Sequence, residues 1–129
     1  MDETFDQLYQ DIKHGRLAAV EAFLNQDGNP NLTNRNGWTL LMSAATKGNS
    51  RILTLLLNRK ASINSLNVAG ESALSIAAGS GHHKCVKILL EHGADIHVRP
   101  LGQPLLAFMK YAQHSSEEVD QLLIKAGAK

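Results

Sequence analysis

The sequence predicts an all-α fold, a solenoid of short helix–turn–helix units stacked side by side and joined by β-hairpin-like turns. Three observations predict it. Gly15, Gly48 and Gly81 recur at a constant step of thirty-three, and Gly37 and Gly70 repeat that step at a second place. Two apolar columns hold four members each at the same step (Val20, Leu53, Val86, Val119 and Leu24, Leu57, Leu90, Leu123), and Leu8, Leu41 and Leu74 form a shorter one. Within a period the apolar residues fall at helical spacing and glycines interrupt them. A fixed period of this length marks stacked supersecondary units. Such a stack presents an extended surface to a partner and rarely carries catalytic machinery.

The units are placed at 1–33, 34–66, 67–99 and 100–129 of a single domain covering 1–129, with the outer two serving as caps. The first keeps the spacing but carries the polar residues Gln7, Gln10 and Asp11. In the second, Leu41, Ala44 and Ala45 share one helical face, Gly48 breaks the helix, and Ile52, Leu53, Leu56 and Leu57 form a second apolar face. The third repeats this with Leu74, Ala77 and Ala78, a break at Gly79-Ser80-Gly81, then Val86, Leu89 and Leu90, ended by Gly93 as a glycine just past a helix terminus does. The alanine pairs let facing helices approach closely. The fourth unit shifts register: Gly102 lies 32 after Gly70 and Gly127 lies 34 after Gly93, and Pro100 and Pro104 stiffen its start. Between units the stretch Ala61–Gly70 is turn-rich. Asn36-Gly37 is a strong turn signal, and Gly37 and Gly70 sit where a tight turn needs positive φ.

Composition bounds the function. With 129 residues, 43 % hydrophobic and 19 % charged, the chain fits one ordinary globular domain. Aromatics are only 5 %, so alanine and leucine fill the core. The net charge of +1 argues against a dedicated nucleic-acid binder, which needs a basic excess. The charge is uneven, however. Residues 1–27 hold six acids against Lys13 and Arg16, whereas residues 28–70 hold Arg35, Lys47, Arg51, Arg59 and Lys60 and no acid. The basic second unit suits steering toward a partner with an acidic surface, although solvated faces of mixed charge are common. The single Cys85 allows no internal disulfide and suits a reducing compartment. The start Met1-Asp2-Glu3-Thr4 lacks the apolar core of a signal peptide. The longest apolar runs fall far short of the roughly 20 residues that span a bilayer. The expectation is a soluble cytoplasmic protein that makes no membrane contact.

The motifs carry a resemblance. Asn34-Arg35-Asn36-Gly37-Trp38-Thr39-Leu40-Leu41-Met42-Ser43-Ala44-Ala45, Gly70-Glu71-Ser72-Ala73-Leu74-Ser75-Ile76-Ala77-Ala78 with Gly81-His82, and Leu89-Leu90-Glu91-His92-Gly93-Ala94-Asp95-Ile96-His97 resemble the ankyrin repeat over nearly the whole chain. The family's Pro and His are replaced by Leu40 and Met42 in one unit and by Ala73 and Ser75 in the next. These losses are expected to weaken hydrogen bonding between units but not the fold. Lys60 stands where Gly93 stands one unit later, which implies a left-handed lysine strained by about 1 kcal/mol.

Candidate chemistry is thin. His82 and Cys85 lie at i, i+3 on a helix, but a zinc site needs three or four ligands and no second cluster completes one. The plain alternative is a buried apolar Cys85 and a His82 at the family's common His position. No nucleophile elbow, phosphate-cradling glycine loop or H-E-x-x-H motif occurs. The reading is therefore no enzyme, no metal and no cofactor. Trp38, after Gly37 at a turn tip, is the sharpest single residue: it is expected to face solvent and serve as a binding anchor, against the alternative of local packing over Thr39.

The resemblance implies that the ends of the first helices and the turn tips line a concave groove. The partner-binding residues it assigns are Arg35, Asn36, Trp38, Thr46, Lys47, Val68, Ala69, Glu71, Ser80 and Tyr111, with Lys13, His14, Gly79, Gln103 and Ala112 in matching positions. The family's activity is binding of a protein. A small free-standing member resembles inhibitors and bacterial toxin-immunity proteins, which act by occupying the partner. A bridging scaffold between two proteins and a metal-binding or enzymatic protein are the alternatives. The irregular Lys60, Met42 and Ser75 argue against a synthetic consensus binder. By itself the chain is expected to be a monomer.

Overall fold

The computed structural model describes residues 3–110, 112 and 116–128. Within them the chain forms eight α-helices: α1 (Glu3–Lys13), α2 (Leu17–Asn25), α3 (Leu40–Lys47), α4 (Ser50–Asn58), α5 (Ala73–Gly79), α6 (His83–Glu91), α7 (Leu105–Met109) and α8 (Glu117–Lys125). A 3₁₀ turn, Pro100–Gly102, precedes α7. The odd-numbered helices pack in one row, α1 on α3, α3 on α5 and α5 on α7, and the even-numbered helices in a second row behind it. This two-layer all-α stack is the architecture that the repeat period predicts.

The core lies between the rows. Val20, Leu53, Val86 and Val119 are all fully buried, and so are Ala44, Ala45, Ala77 and Ala78. Alanine in the inner row lets neighbouring helices approach without leaving voids. The helices start on local signals. Thr39 Oγ1 accepts from Met42 N–H at 3.1 Å, Asn49 Oδ1 from Ile52 N–H at 3.0 Å and Ser116 Oγ from Val119 N–H at 3.2 Å. Ser72 and Ser75 form a reciprocal capping box at the start of α5, with Ser75 at the position where the resemblance expects a His.

Hydrogen bonding between units runs through other residues. Asn31 Oδ1 accepts from Ser62 N–H at 2.7 Å, and one period further on Asn64 Oδ1 accepts from Asp95 N–H at 2.8 Å. His82 Nε2–H donates to Thr46 O at 3.0 Å, so the ring links α3 to the start of α6. Gly48 is doubly required beside it. Its φ is +68°, and a Cβ there would lie 2.5 Å from His82 Nδ1.

Two expectations need correction in detail. The break after α5 falls at Gly81 (φ 75), while Gly79 is the last residue of the helix. Asp11 of the first unit is not a solvated acid. It is buried and accepts from Gln7 Nε2 at 3.1 Å and Arg16 Nη1 at 3.3 Å. Lys60 is left-handed at φ 69°, as its alignment with Gly93 implies.

Candidate functional site

Two of the turns between units are built around one asparagine each, while Pro100 holds the matching position in the third. Asn34 Oδ1 accepts from Asn36 N–H at 2.9 Å and Trp38 N–H at 3.0 Å. Asn67 Oδ1 accepts from Ala69 N–H at 2.9 Å and Glu71 N–H at 3.0 Å. Asparagine side chains that bond nearby downstream backbone amides hold such loops closed. Gly37 (φ 76) and Gly70 (φ 75) complete the two turns, and an antiparallel bridge joins Thr33 to Thr39. The tips are stitched together: Val68 N–H donates to Asn36 O at 2.9 Å, and Leu101 N–H to Ala69 O at 3.0 Å. The ridge thus runs Arg35–Asn36, Val68–Ala69, Leu101–Gly102 at the repeat step.

This ridge carries exposed apolar residues: Val68 is 79 % exposed and Leu101 67 %. Isolated exposed apolar side chains are ordinary, but adjacent ones on a rigid ridge form a patch. Leu101 was not among the residues assigned from the sequence, although its place one full period after Val68 marks it.

Beside the ridge, the inner row forms a concave depression of about 330 Å³ lined by Trp38, Thr46, Glu71, Ser75, Ile76, Gly79, Ser80, Phe108 and Ala112. Most lining positions follow from the period. Trp38 and Glu71 are one column; Thr46, Gly79 and Ala112 are another. Gly79 is the floor, since a Cβ there would lie 3.4 Å from Phe108 Cε1 and 3.8 Å from Ala112 Cβ. Six of the positions assigned from the sequence, Trp38, Thr46, Glu71, Gly79, Ser80 and Ala112, line this depression. Arg35, Asn36, Val68 and Ala69 lie on the adjoining ridge, and Lys47 is exposed at the end of α3. Tyr111 lies outside the described residues. Ser75, Ile76 and Phe108 were missed; all three sit on first helices, Ile76 and Phe108 on faces that read as core.

Trp38 differs from expectation. It is half-buried and packs against the core, because its amide is tied to Asn34 and its ring covers the inner row beside Thr46. The basic set is also divided. Arg35 is exposed at a turn tip and Lys47 at the end of α3, whereas Arg51 lines an outer groove between α2 and α4 and Arg59 donates to Asn25 Oδ1 of α2 at 2.6 Å.

The residues weighed as metal ligands have other roles. Burial pushes the Cys85 thiol up to about 11, and His82 is committed to Thr46. Among the described residues no group of three His, Cys, Asp or Glu side chains is placed to hold a metal ion. No described helix is long and apolar enough to cross a membrane.

Residues 8–100 match the family model for ankyrin repeats in three copies. No curated protein matches the sequence. The matched span covers well over half of the chain and coincides with the tied turns and paired helix rows, so this protein belongs to the ankyrin-repeat family, whose units serve as protein–protein interaction modules.

Proposed function

We propose that this protein binds one protein partner through its concave side and turn ridge and inhibits that partner by occupying its surface, as an inhibitor or toxin-immunity protein does. The observation that carries the reading is the concave depression lined by Trp38 and Phe108, beside a turn ridge that exposes Val68 and Leu101. A rigid, half-desolvated aromatic beside small residues suits a binding anchor. Arg35, Asn36, Trp38, Thr46, Lys47, Val68, Ala69, Glu71, Ser80 and Tyr111 form the contact set. Arg35 and Lys47 favour approach of a partner with an acidic surface. No catalysis, nucleic acid or membrane enters this function, and the protein works as a cytoplasmic monomer.

Affinity capture from the native lysate, comparing wild type with Trp38→Ala/Lys47→Glu, tests the reading. One protein is retained by the wild type and lost by the variant, and its own activity falls when the wild-type protein is added. Equal retention by both removes the concave assignment.

A specific observation favours a second reading, the bridging scaffold. A larger groove of about 710 Å³ runs between α6 and α8 on the outer row, lined in part by Lys87, Leu122 and Ile124. A similar groove of about 490 Å³ lies between α2 and α4. Recurrence along the outer row marks these as a by-product of helix packing, which is why the concave depression, opened by Gly79, takes precedence. A scaffold would lose a second captured protein on Lys87→Glu/Ile124→Asp.

A further inference from the structure

Among the described residues that line the concave depression, one carries a charge, Glu71. Glu71 lines the depression together with Trp38 from the preceding unit and Phe108 from the following unit. Asn67 Nδ2 donates to Glu71 Oε1 at 2.9 Å and fixes the carboxylate in place. That amide leaves the charge uncompensated. The ion pairs among the described residues are Arg16–Asp11 and His83–Glu118, and neither involves Glu71. A depression lined by a half-buried carboxylate and by two aromatic rings is a setting in which a cation gains twice: from the charge at short range and from the negative faces of the rings.

We propose that the depression is the socket for an arginine side chain of the protein partner, with Glu71 pairing the guanidinium and Trp38 and Phe108 covering its faces. This inference rests on the concave binding reading above and specifies what enters the site. Arginine suits it better than lysine because its flat guanidinium can pair with a carboxylate through two hydrogen bonds while stacking on an aromatic ring. Gly79 makes the room. Of the column Thr46, Gly79 and Ala112 that lines the depression, the middle member has no side chain. Arg35 and Lys47 do not conflict with a cationic guest. They act at long range on the approach of an acidic surface, while Glu71 acts in contact on one basic side chain projecting from that surface. The same partner thus carries an acidic face with a single arginine at its centre.

The test uses the intact protein and acetyl-arginine amide as probe, followed by ¹H–¹⁵N NMR, with acetyl-citrulline amide as the uncharged isostere. The expected result is saturable shifts at the Trp38 indole and the Gly79 amide with a dissociation constant on the order of 1 mM. Binding weakens roughly tenfold in Glu71→Gln, and citrulline produces no saturable shift. Glu71→Gln keeps an oxygen for Asn67, so its melting temperature stays near that of the wild type. Gly79→Leu, which fills the depression without a strained φ, abolishes the shifts independently. Equal shifts with citrulline, undiminished binding in Glu71→Gln, shifts centred on Glu117 and Glu118 of α8, or no shifts at all overturn the proposal. Retention of the captured partner by Glu71→Gln, together with its loss in Trp38→Ala/Lys47→Glu, would leave the concave interface standing and remove the arginine socket alone.

Discussion

Asp27, Lys60 and Gly93 occupy one column of the repeat, and all three take positive φ, at 63°, 69° and 83°. The backbone demands the left-handed region just past each second helix, whatever the residue. At Gly93 a Cβ would meet nothing within 4 Å, so the cost of a side chain in this column is backbone strain alone. That strain is about 1 kcal/mol for lysine, partly offset by the greater freedom of glycine in the unfolded chain. Lys60→Gly should therefore raise stability by roughly 0.5 kcal/mol and the melting temperature by about 2 °C, measured by thermal denaturation; an unchanged or lower value contradicts the account. Cys85 gives a second test. Its thiol is held neutral up to about 11 in the fold against 9.0 when exposed. The folded state thus binds more protons than the unfolded state between those values, and stability falls as pH rises through that window. Below pH 9 the contribution is fully present. Cys85→Val should flatten the alkaline limb of a denaturation series, and native Cys85 should resist thiol reagents at pH 8 until the protein unfolds.

At the scale of the element, the links between units depend on few side chains. His82→Ala removes the bond to Thr46 O and should cost about 1–2 kcal/mol. Gly48→Ala meets both an unfavourable φ of 68° and the His82 ring and should cost at least as much. The two losses are coupled: in a double-mutant cycle by chemical denaturation, Gly48→Ala costs less once His82 is alanine, because the collision is gone and only backbone strain remains. Strict additivity would mean that the ring is not seated against Gly48. The helices themselves were legible in the sequence, because Leu41–Ala44–Ala45 and Leu74–Ala77–Ala78 repeat a helical face at a fixed period. The inter-unit bonds were less so. Asn31 and Asn64 share a column, yet an asparagine in a turn reads only as a turn residue until the next unit's amide is placed against it. Likewise Gly79-Ser80-Gly81 signals a break without saying that Gly81 makes it and Gly79 remains helical.

At the scale of the whole molecule, each unit is stabilised by its own contacts and by its neighbours. α7 has five residues and is packed by α5 and α8, whereas α3 is packed by α1, α4 and α5. Native-state hydrogen exchange should therefore show α3 and α5 opening only near global unfolding and α7 and α8 opening at lower free energy. Uniform protection along the chain would contradict the division into inner units and caps. The concave side was legible in part. The resemblance to the ankyrin repeat puts Trp38, Glu71, Thr46 and Ser80 on one side, and all four line the same depression. Phe108 and Ile76 were not, since an apolar residue on a first-helix face is core unless the opposing position is as small as Gly79. The central claim is that a protein partner seats in the concave side. Hydrogen exchange of the complex with the captured partner tests it most directly. The account predicts slowed exchange concentrated in residues 35–39 and 68–80, with the outer helices α2, α4, α6 and α8 unchanged. Protection confined to those outer helices, with the turn ridge and the depression exchanging as in the free protein, would contradict it.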